Sequence, residues 1–227
     1  MNKKLQRELH GPGWGEVILG ALLSLVLGIV LAMAFLIFTP VVKVREMPKE
    51  PDAKVVYYLE GSAAASRAHQ AQTKAKSFLQ GQSVTLNEDE LNSIVYGFRA
   101  QPPKPAKPTL TSAPPDKVIE PGSPNFRIRD SVLQIGVPLK LSAYGLKHEV
   151  IFQARGRFTK SGDTFVFDPN EVFVGSCALE RLPVIRDMIL KRLVAATEVP
   201  PELPTAWQKL TDVSLEGSNL KLTTAIQ

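Results

Sequence analysis

The side chains able to do chemistry are few and scattered. Glu88, Asp89 and Glu90 are consecutive carboxylates, but they open a predicted helix, where capping and the helix dipole account for acidic residues without catalysis. Ser176 and Cys177 follow Gly175, a tempting place for a nucleophile, yet no GxSxG elbow surrounds them and no histidine lies nearby in sequence. A buried structural thiol is the plainer reading. With one cysteine in the chain, neither an intramolecular disulfide nor a cysteine-rich metal site can form. The histidines His10, His69 and His148 are far apart and belong to no HExxH or CxxC pattern, so neither a metal nor a cofactor is expected. Asp163 and Asp168 fall in turns, where Asp is favoured for its local hydrogen bonding. Arg127 and Arg129, then Arg155 and Arg157, alternate along strands. They could present a basic face to anionic lipid heads, or simply a solvated outer face. Lys and Arg outnumber Asp and Glu 27 to 22, a formal charge of +5, without the single basic stripe of a dedicated nucleic-acid binder. These residues point away from an enzyme and away from nucleic acid.

The feature that constrains location is residues 17–38, which carry no charge. As a helix they rise about 33 Å, against a hydrocarbon core of roughly 30 Å, so they can span a membrane. Ala32-Met33-Ala34 resembles a leader-cleavage site, but Phe35-Leu36-Ile37-Phe38 follows where a polar region is needed, so retention as an anchor is expected. Lys3, Lys4 and Arg7 on one side and Lys43, Arg45, Lys49 and Lys54 on the other leave the charge rule undecided. A short tail before a large domain favours a cytoplasmic N-terminus and an extracytoplasmic, periplasmic C-terminal domain, in a single-pass protein of the cell membrane. Gly20, Ser24, Gly28 and Ala32 recur every fourth residue and could let two such helices pack closely.

The remaining organisation reads as a short N-terminal tail (1–16), the anchor (17–38), a juxtamembrane stalk (39–54) and a soluble domain (55–227) with a disordered proline-rich insertion at 101–125. Val55 to Tyr58 suggest a short strand or an irregular stalk. Ala64, Ala68, Ala71, Ala75 and Phe78 predict a helix with a thin apolar stripe, stopped at Gly81. Asn87 and Glu90 predict a capping box, flanked by a staple of Leu86 and Leu91. Leu91, Ile94, Val95 and Phe98 line that second helix. The prolines at 102, 103, 105, 108, 114, 115, 121 and 124 exclude a helix or central strand between them.

Beyond the insertion the period changes to two. Leu133, Ile135, Val137, Leu139 and Leu141 form one inner face, with Pro138 marking an edge or a bulge. Val150, Phe152, Ala154 and Phe158 return beside it. Turns are expected at Tyr144-Gly145, Ser161-Gly162-Asp163 and Asp168-Pro169-Asn170. Leu182, Ile185, Ile189 and Leu193 predict a helix, residues 206–210 a short one, and Val213, Leu215, Leu220 and Leu222 a closing hairpin turned at residues 216–219. The fold class is therefore α+β: one N-terminal transmembrane helix, then helices packed on an antiparallel sheet of five or six strands.

The run Leu86-Asn87-Glu88-Asp89-Glu90-Leu91-Asn92 resembles an element found early in bacterial membrane-anchored envelope proteins with a TULIP-like (tubular lipid-binding) domain. Val174-Gly175-Ser176, Leu182-Pro183 and Glu216-Gly217 continue the likeness over residues 55–227. The resemblance implies a curved sheet wrapped on a long helix, with an apolar groove for lipid; the proline insertion departs from that pattern. The leading expectation is a non-catalytic, membrane-anchored envelope protein that binds lipid or another apolar ligand along Leu133, Ile135, Val137, Leu139, Leu141, Val150 and Phe152. The alternative is an interaction or scaffold protein, self-associating through its anchor or holding an envelope partner.

Overall fold

The computed structural model describes residues 13–62, 64–100, 119–143, 146–180, 182–196 and 201–225. The basic N-terminal tail, the prolines from 102 to 115, the turn at Tyr144-Gly145 and the side chain of Phe98 lie outside the described residues. The protein is α+β.

Helix α1, Trp14–Phe38, rises about 37 Å and is long and apolar enough to cross a membrane. It begins after Gly13 and ends where the Thr39 hydroxyl and amide both donate to the Phe35 carbonyl, ahead of Pro40. Strand β1, Val42–Val44, then pairs in parallel with β2, Tyr57–Leu59. A 3-10 turn, Ala65–Arg67, leads into α2, Ala68–Leu79, which buries Ala71 and Phe78. Gly81 stops it at φ +86°, donating to the Phe78 carbonyl, a left-handed cap that glycine adopts without a Cβ penalty. Strand β3, Val84–Asn87, runs straight into α3, Glu88–Ala100. The capping box forms in both directions: the Glu90 amide donates to Asn87 Oδ1 at 2.9 Å and the Asn87 amide to Glu90 Oε2 at 3.0 Å.

The large sheet has six strands: β4 (Ile119–Pro121), β5 (Asn125–Arg129), β6 (Val132–Ala143), β7 (Leu146–Ser161), β8 (Thr164–Val174) and β9 (Cys177–Ala178). β4 and β5 both pair with β6, on successive lengths of it. The expected insertion therefore ends earlier than residue 125, because residues 119–121 and 125 are already hydrogen-bonded into an edge. Pro138 sits opposite the break between β4 and β5, where its carbonyl accepts from Gly122 at 2.6 Å. A strand residue points its N–H and C=O to the same neighbour, so the missing proline donor falls where the partner strand is interrupted. The two-residue turn joining β5 to β6 has positive φ at both Asp130 and Ser131, as a type I′ hairpin demands.

Two expectations are corrected along this sheet. Asp168-Pro169-Asn170 is not a turn. β8 runs through it, and the ladder jumps from Arg155↔Glu171 to Gly156↔Pro169. One extra residue is accommodated as a bulge, and Gly156 permits it because a Cβ there would run into the Asp168 carbonyl. Nor is the second face of the sheet simply solvated. Gln134, Gly136, Ile151 and Gln153 are buried on it, because the β1–β2 ribbon covers that face: Tyr58 lies against Gly136, and the Gln134 amide donates to the Leu59 carbonyl at 2.9 Å.

Helix α4, Pro183–Ala196, follows the sheet, and α5, Glu202–Trp207, stands slightly before the expected short helix because residue 210 already belongs to a strand. The hairpin β10 (Leu210–Glu216) and β11 (Asn219–Thr224) closes the chain as expected, but pairs through β11 with β3 in a separate three-stranded sheet. Its turn is tied to the β5–β6 turn by the Ser131 amide donating to the Gly217 carbonyl at 3.2 Å.

Among the described residues the core has two apolar clusters. One gathers Phe78, Leu86, Ile128, Leu133, Phe165, Val213 and Leu222, with Leu91 and Ile94 against it. The other gathers Leu139, Val150, Phe152, Ala154, Val172, Val174, Cys177 and Leu179, with Met33 and Ile37 of α1 and Ile185 and Ile189 of α4 against it. Phe167 touches both.

Candidate functional site

The carboxylates that open α3 are all engaged in joining parts of the fold. Glu88 accepts from the Ser62 amide at 2.6 Å and the Ile128 amide at 3.2 Å. Asp89 accepts from the Ser62 hydroxyl at 2.6 Å. Glu90, only 1% exposed, is closed by Lys74 at 2.7 Å as well as by its cap. Asn92 is fully buried and pairs with the Phe126 backbone as a strand would, donating to its carbonyl at 2.8 Å and accepting from its amide at 2.7 Å. It also donates to the Ser62 carbonyl at 2.8 Å. Asn125 does the same for Gly61, accepting from its amide at 2.6 Å and donating to its carbonyl at 3.1 Å. The buried members of this polar joint, Glu90 and Asn92, spend their side-chain groups on the fold itself. Asn92 closes the run 86–92 on which the resemblance rests, but nothing in the sequence pointed to its partners or to those of Asn125, which lie 30 to 64 positions away.

The alternating arginines divide. Arg127 donates to the carbonyls of Arg45 and Glu60, at 2.7 and 3.0 Å, and Arg155 to Gln134 Oε1 at 3.1 Å and Glu171 Oε2 at 3.2 Å. Arg127 holds the ends of the ribbon on the sheet, and Arg155 also reaches the ribbon at the Tyr57 carbonyl, 3.5 Å away. Arg129 pairs with its neighbour Asp130, and Arg157 is exposed.

The other joint is where α1 meets the sheet, and it contains Gly175, Ser176 and Cys177. Gly175 has φ +58° and lies so close to the Ile37 carbonyl that no Cβ fits. The Ser176 amide donates to the Leu36 carbonyl at 3.0 Å and its hydroxyl to the Thr39 carbonyl at 3.2 Å. Carbonyls at a helix C-terminus have no intrahelical donors, and here the β8–β9 turn supplies them. The ring of Phe38 meets that of His148 edge-on, centroids 5.2 Å apart. Cys177 is 3% exposed in the apolar cluster, and burial pushes its thiol pKa up, so Ser176 and Cys177 serve structure and packing. Among the described residues no group of His, Cys, Asp and Glu could hold a metal ion.

Of the residues expected to line a ligand, Leu133 and Ile135 pack in the first cluster, while Val137, Leu139, Leu141, Val150 and Phe152 pack in the second. Leu133, Leu139, Val150 and Phe152 are at most 4% exposed, so this face is filled with side chains. Open space lies instead at the joint, in a cavity of about 310 Å³ lined by Ile37, Pro40, Val41, Lys43, His148, Val150 and Ile151 among others. Lys43 and Glu149 face each other across its rim at 3.7 Å. A second cavity of about 310 Å³ lies by Thr164, Leu203 and Trp207, away from α1. The Gly20, Ser24, Gly28 and Ala32 stripe is exposed. At about 100° per residue it lies roughly opposite the side of α1 that Met33 and Ile37 turn to the domain.

No family model, no curated protein and no solved structure matches this chain.

Proposed function

We propose that this is a single-pass, non-catalytic protein of the cell envelope, with its N-terminus in the cytoplasm and its domain on the periplasmic side, that binds lipid or another apolar ligand beside its own anchor. The reading is supported above all by the continuity of the second apolar cluster, which runs from Met33 and Ile37 of the long apolar helix to Leu139, Val150 and Phe152 of the sheet. The adjoining cavity, with Lys43, His148 and Glu149 on its lining, offers polar groups of both signs to a headgroup beside that apolar cluster. Concave, mostly apolar sites with a few polar groups are the usual form of small-molecule sites. A TULIP-like arrangement, with helices packed on the sheet, is part of this proposal, with the ligand in the cavity at the α1 joint rather than between helices and sheet.

Lipid extraction and mass spectrometry of the purified, folded full chain test it. Co-purifying lipid that diminishes in Val150→Lys is expected; a folded protein free of lipid would sink the lipid reading. A reporter fused after Gln227 that works only in the cytoplasm would reverse the orientation. The scaffold reading keeps one observation in its favour, the small-residue stripe turned away from the domain. If Gly28→Leu leaves crosslinked oligomers unchanged, that reading loses its support.

A further inference from the structure

The two faces of the large sheet are closed by different means. One is packed by the apolar clusters. The other is crossed by residues 40–60, which carry the β1–β2 ribbon between two fixed ends: the Thr39 carbonyl accepts from the Ser176 hydroxyl at 3.2 Å, and Gly61 is bound by Asn125. The ribbon is a weak element by itself, a parallel pairing of three residues with three, and a two-stranded ribbon is marginal in water without further support. Of residues 40–60 only Tyr58 and Leu59 are buried. The other fastenings are polar: Arg127 on the Arg45 and Glu60 carbonyls, Gln134 on the Leu59 carbonyl, and Lys43 against Glu149. Water replaces such bonds at small net cost when ribbon and sheet part.

Beneath the ribbon, covering the sheet carries a penalty. Gln153 is fully buried on this face, in register with Gly136, against which Tyr58 lies. Neither its amide nitrogen nor its amide oxygen has a hydrogen-bond partner among the described residues. An aliphatic side chain would close the face without that cost. A glutamine suits a face that is wetted part of the time, because an orphan amide loses its hydration when covered and recovers it when uncovered. We propose that the ribbon is a strap, which lifts from the sheet and reseats while the apolar clusters stay packed, and that Gln153 is the residue favouring its release. The strap also forms one wall of the cavity at the α1 joint, through Val41 and Lys43, with Glu149 and Ile151 of the sheet among the residues lining the rest. Its lifting is therefore the gate of that cavity, and this half of the proposal rests on the ligand reading above.

The test uses the full chain in detergent. Gln153→Cys puts a thiol under the strap. Native Cys177, 3% exposed, packs in the cluster on the opposite face of the same sheet, so one molecule carries probe and control. Labelling by N-ethylmaleimide, each rate divided by that of the same thiol in the urea-unfolded chain, should be at least about tenfold faster at position 153 than at 177, as local opening without global unfolding requires. Equal rates would mean that the ribbon leaves the sheet only when the domain unfolds, and would overturn the strap. Hydrogen exchange of the parent chain reads the same motion without a variant. The amides of Val42 and Glu60, bonded to the Val56 and Val44 carbonyls, should exchange far faster than those of residues 150–154, and equal protection would equally overturn the strap. Gln153→Leu removes the orphan amide and should slow exchange at Val42 and Glu60 several-fold; exchange as fast as in the parent, or faster, would overturn the role of Gln153. For the gate, the chain as purified is compared with the chain delipidated by detergent exchange. Labelling at 153 should quicken on delipidation, with no change at 177. Extracted lipid without any effect on labelling would overturn the gate alone. A chain that yields no lipid overturns the ligand reading and the gate with it, while the strap still stands or falls on its own two measurements.

Discussion

The polar joint at the start of α3 and the apolar joint at the end of α1 do the same mechanical task with opposite materials. At the first, Asn87, Glu88, Asp89, Glu90 and Asn92 tie a helix to a loop and a strand through hydrogen bonds of defined geometry. Such a network has one arrangement, because any other leaves buried groups unpaired. At the second, Met33 and Ile37 lie against a cluster that the half-buried Ile185 and Ile189 of α4 also touch. Contacts of that kind are non-directional, and the open volume of about 310 Å³ lies beside them. The difference teaches where to look for function: a network whose buried members Glu90 and Asn92 are spent on the fold is structure, and an incompletely covered apolar joint beside a cavity can still bind something.

The largest effect that could break this contrast is at the polar joint. Asn92→Ala leaves the Phe126 amide and carbonyl and the Ser62 carbonyl without partners, and a loss of about 4 kcal/mol is expected, read by denaturant unfolding of the detergent-solubilised chain. A cost under about 1 kcal/mol would mean that the joint is loose or wet. Next comes Gly175→Ala, which puts a Cβ against the Ile37 carbonyl at a positive φ. It should cost at least about 2 kcal/mol and speed proteolysis between Pro40 and Arg45; unchanged proteolysis would show that the anchor is not seated on the β8–β9 turn.

Tyr58 comes third. Its hydroxyl donates to Asn125 Oδ1 at 3.1 Å, which also accepts from Gly61, so Tyr58→Phe should cost only about 1 kcal/mol. Burial, then the charges of Glu60 and Tyr96, push its phenol pKa well above the ordinary value of 10.0. A folded pKa above the unfolded one contributes stability that is whole below about pH 10 and is lost as pH rises beyond it. Unfolding midpoints measured from pH 8 to 11 should fall less steeply in Tyr58→Phe than in the parent, and parallel curves would remove this account. The smallest effect is expected on the other side of the contrast: Met188→Asn should change stability in detergent by no more than about 0.5 kcal/mol. A large loss would mean that α4 is held by the domain through Met188 more tightly than its 51% exposure indicates.

Local features were legible to the degree that their causes are local. The capping box of Asn87 and Glu90, the stop at Gly81 and the turn of the last hairpin involve residues within a few positions of each other, and each formed. Asp168-Pro169-Asn170 misled because proline and its neighbours mark a bulge as readily as a turn; the choice was made by Gly156 on the opposite strand. The alternation at 133–141 identified one buried face, but only the ribbon of β1 and β2, whose Leu59 lies 75 positions before Gln134, closed the other. For the candidate site, residues 133–141 and 150–152 were recognised as apolar and inward. That they are divided between two filled clusters depends on Phe78, Phe165, α1 and α4, none of which their own spacing mentions.

By itself, then, the amino-acid order determined the long apolar helix, since hydropathy and length over a single segment suffice to make it, and it determined the caps and strand periods for the same reason. Tertiary structure alone decided that α1 ends in a seat made by Gly175 and Ser176 rather than in a free stalk. An orphan helix carbonyl will accept any donor that reaches it, and no pattern within residues 14–38 says which turn, some 140 positions later, will be there.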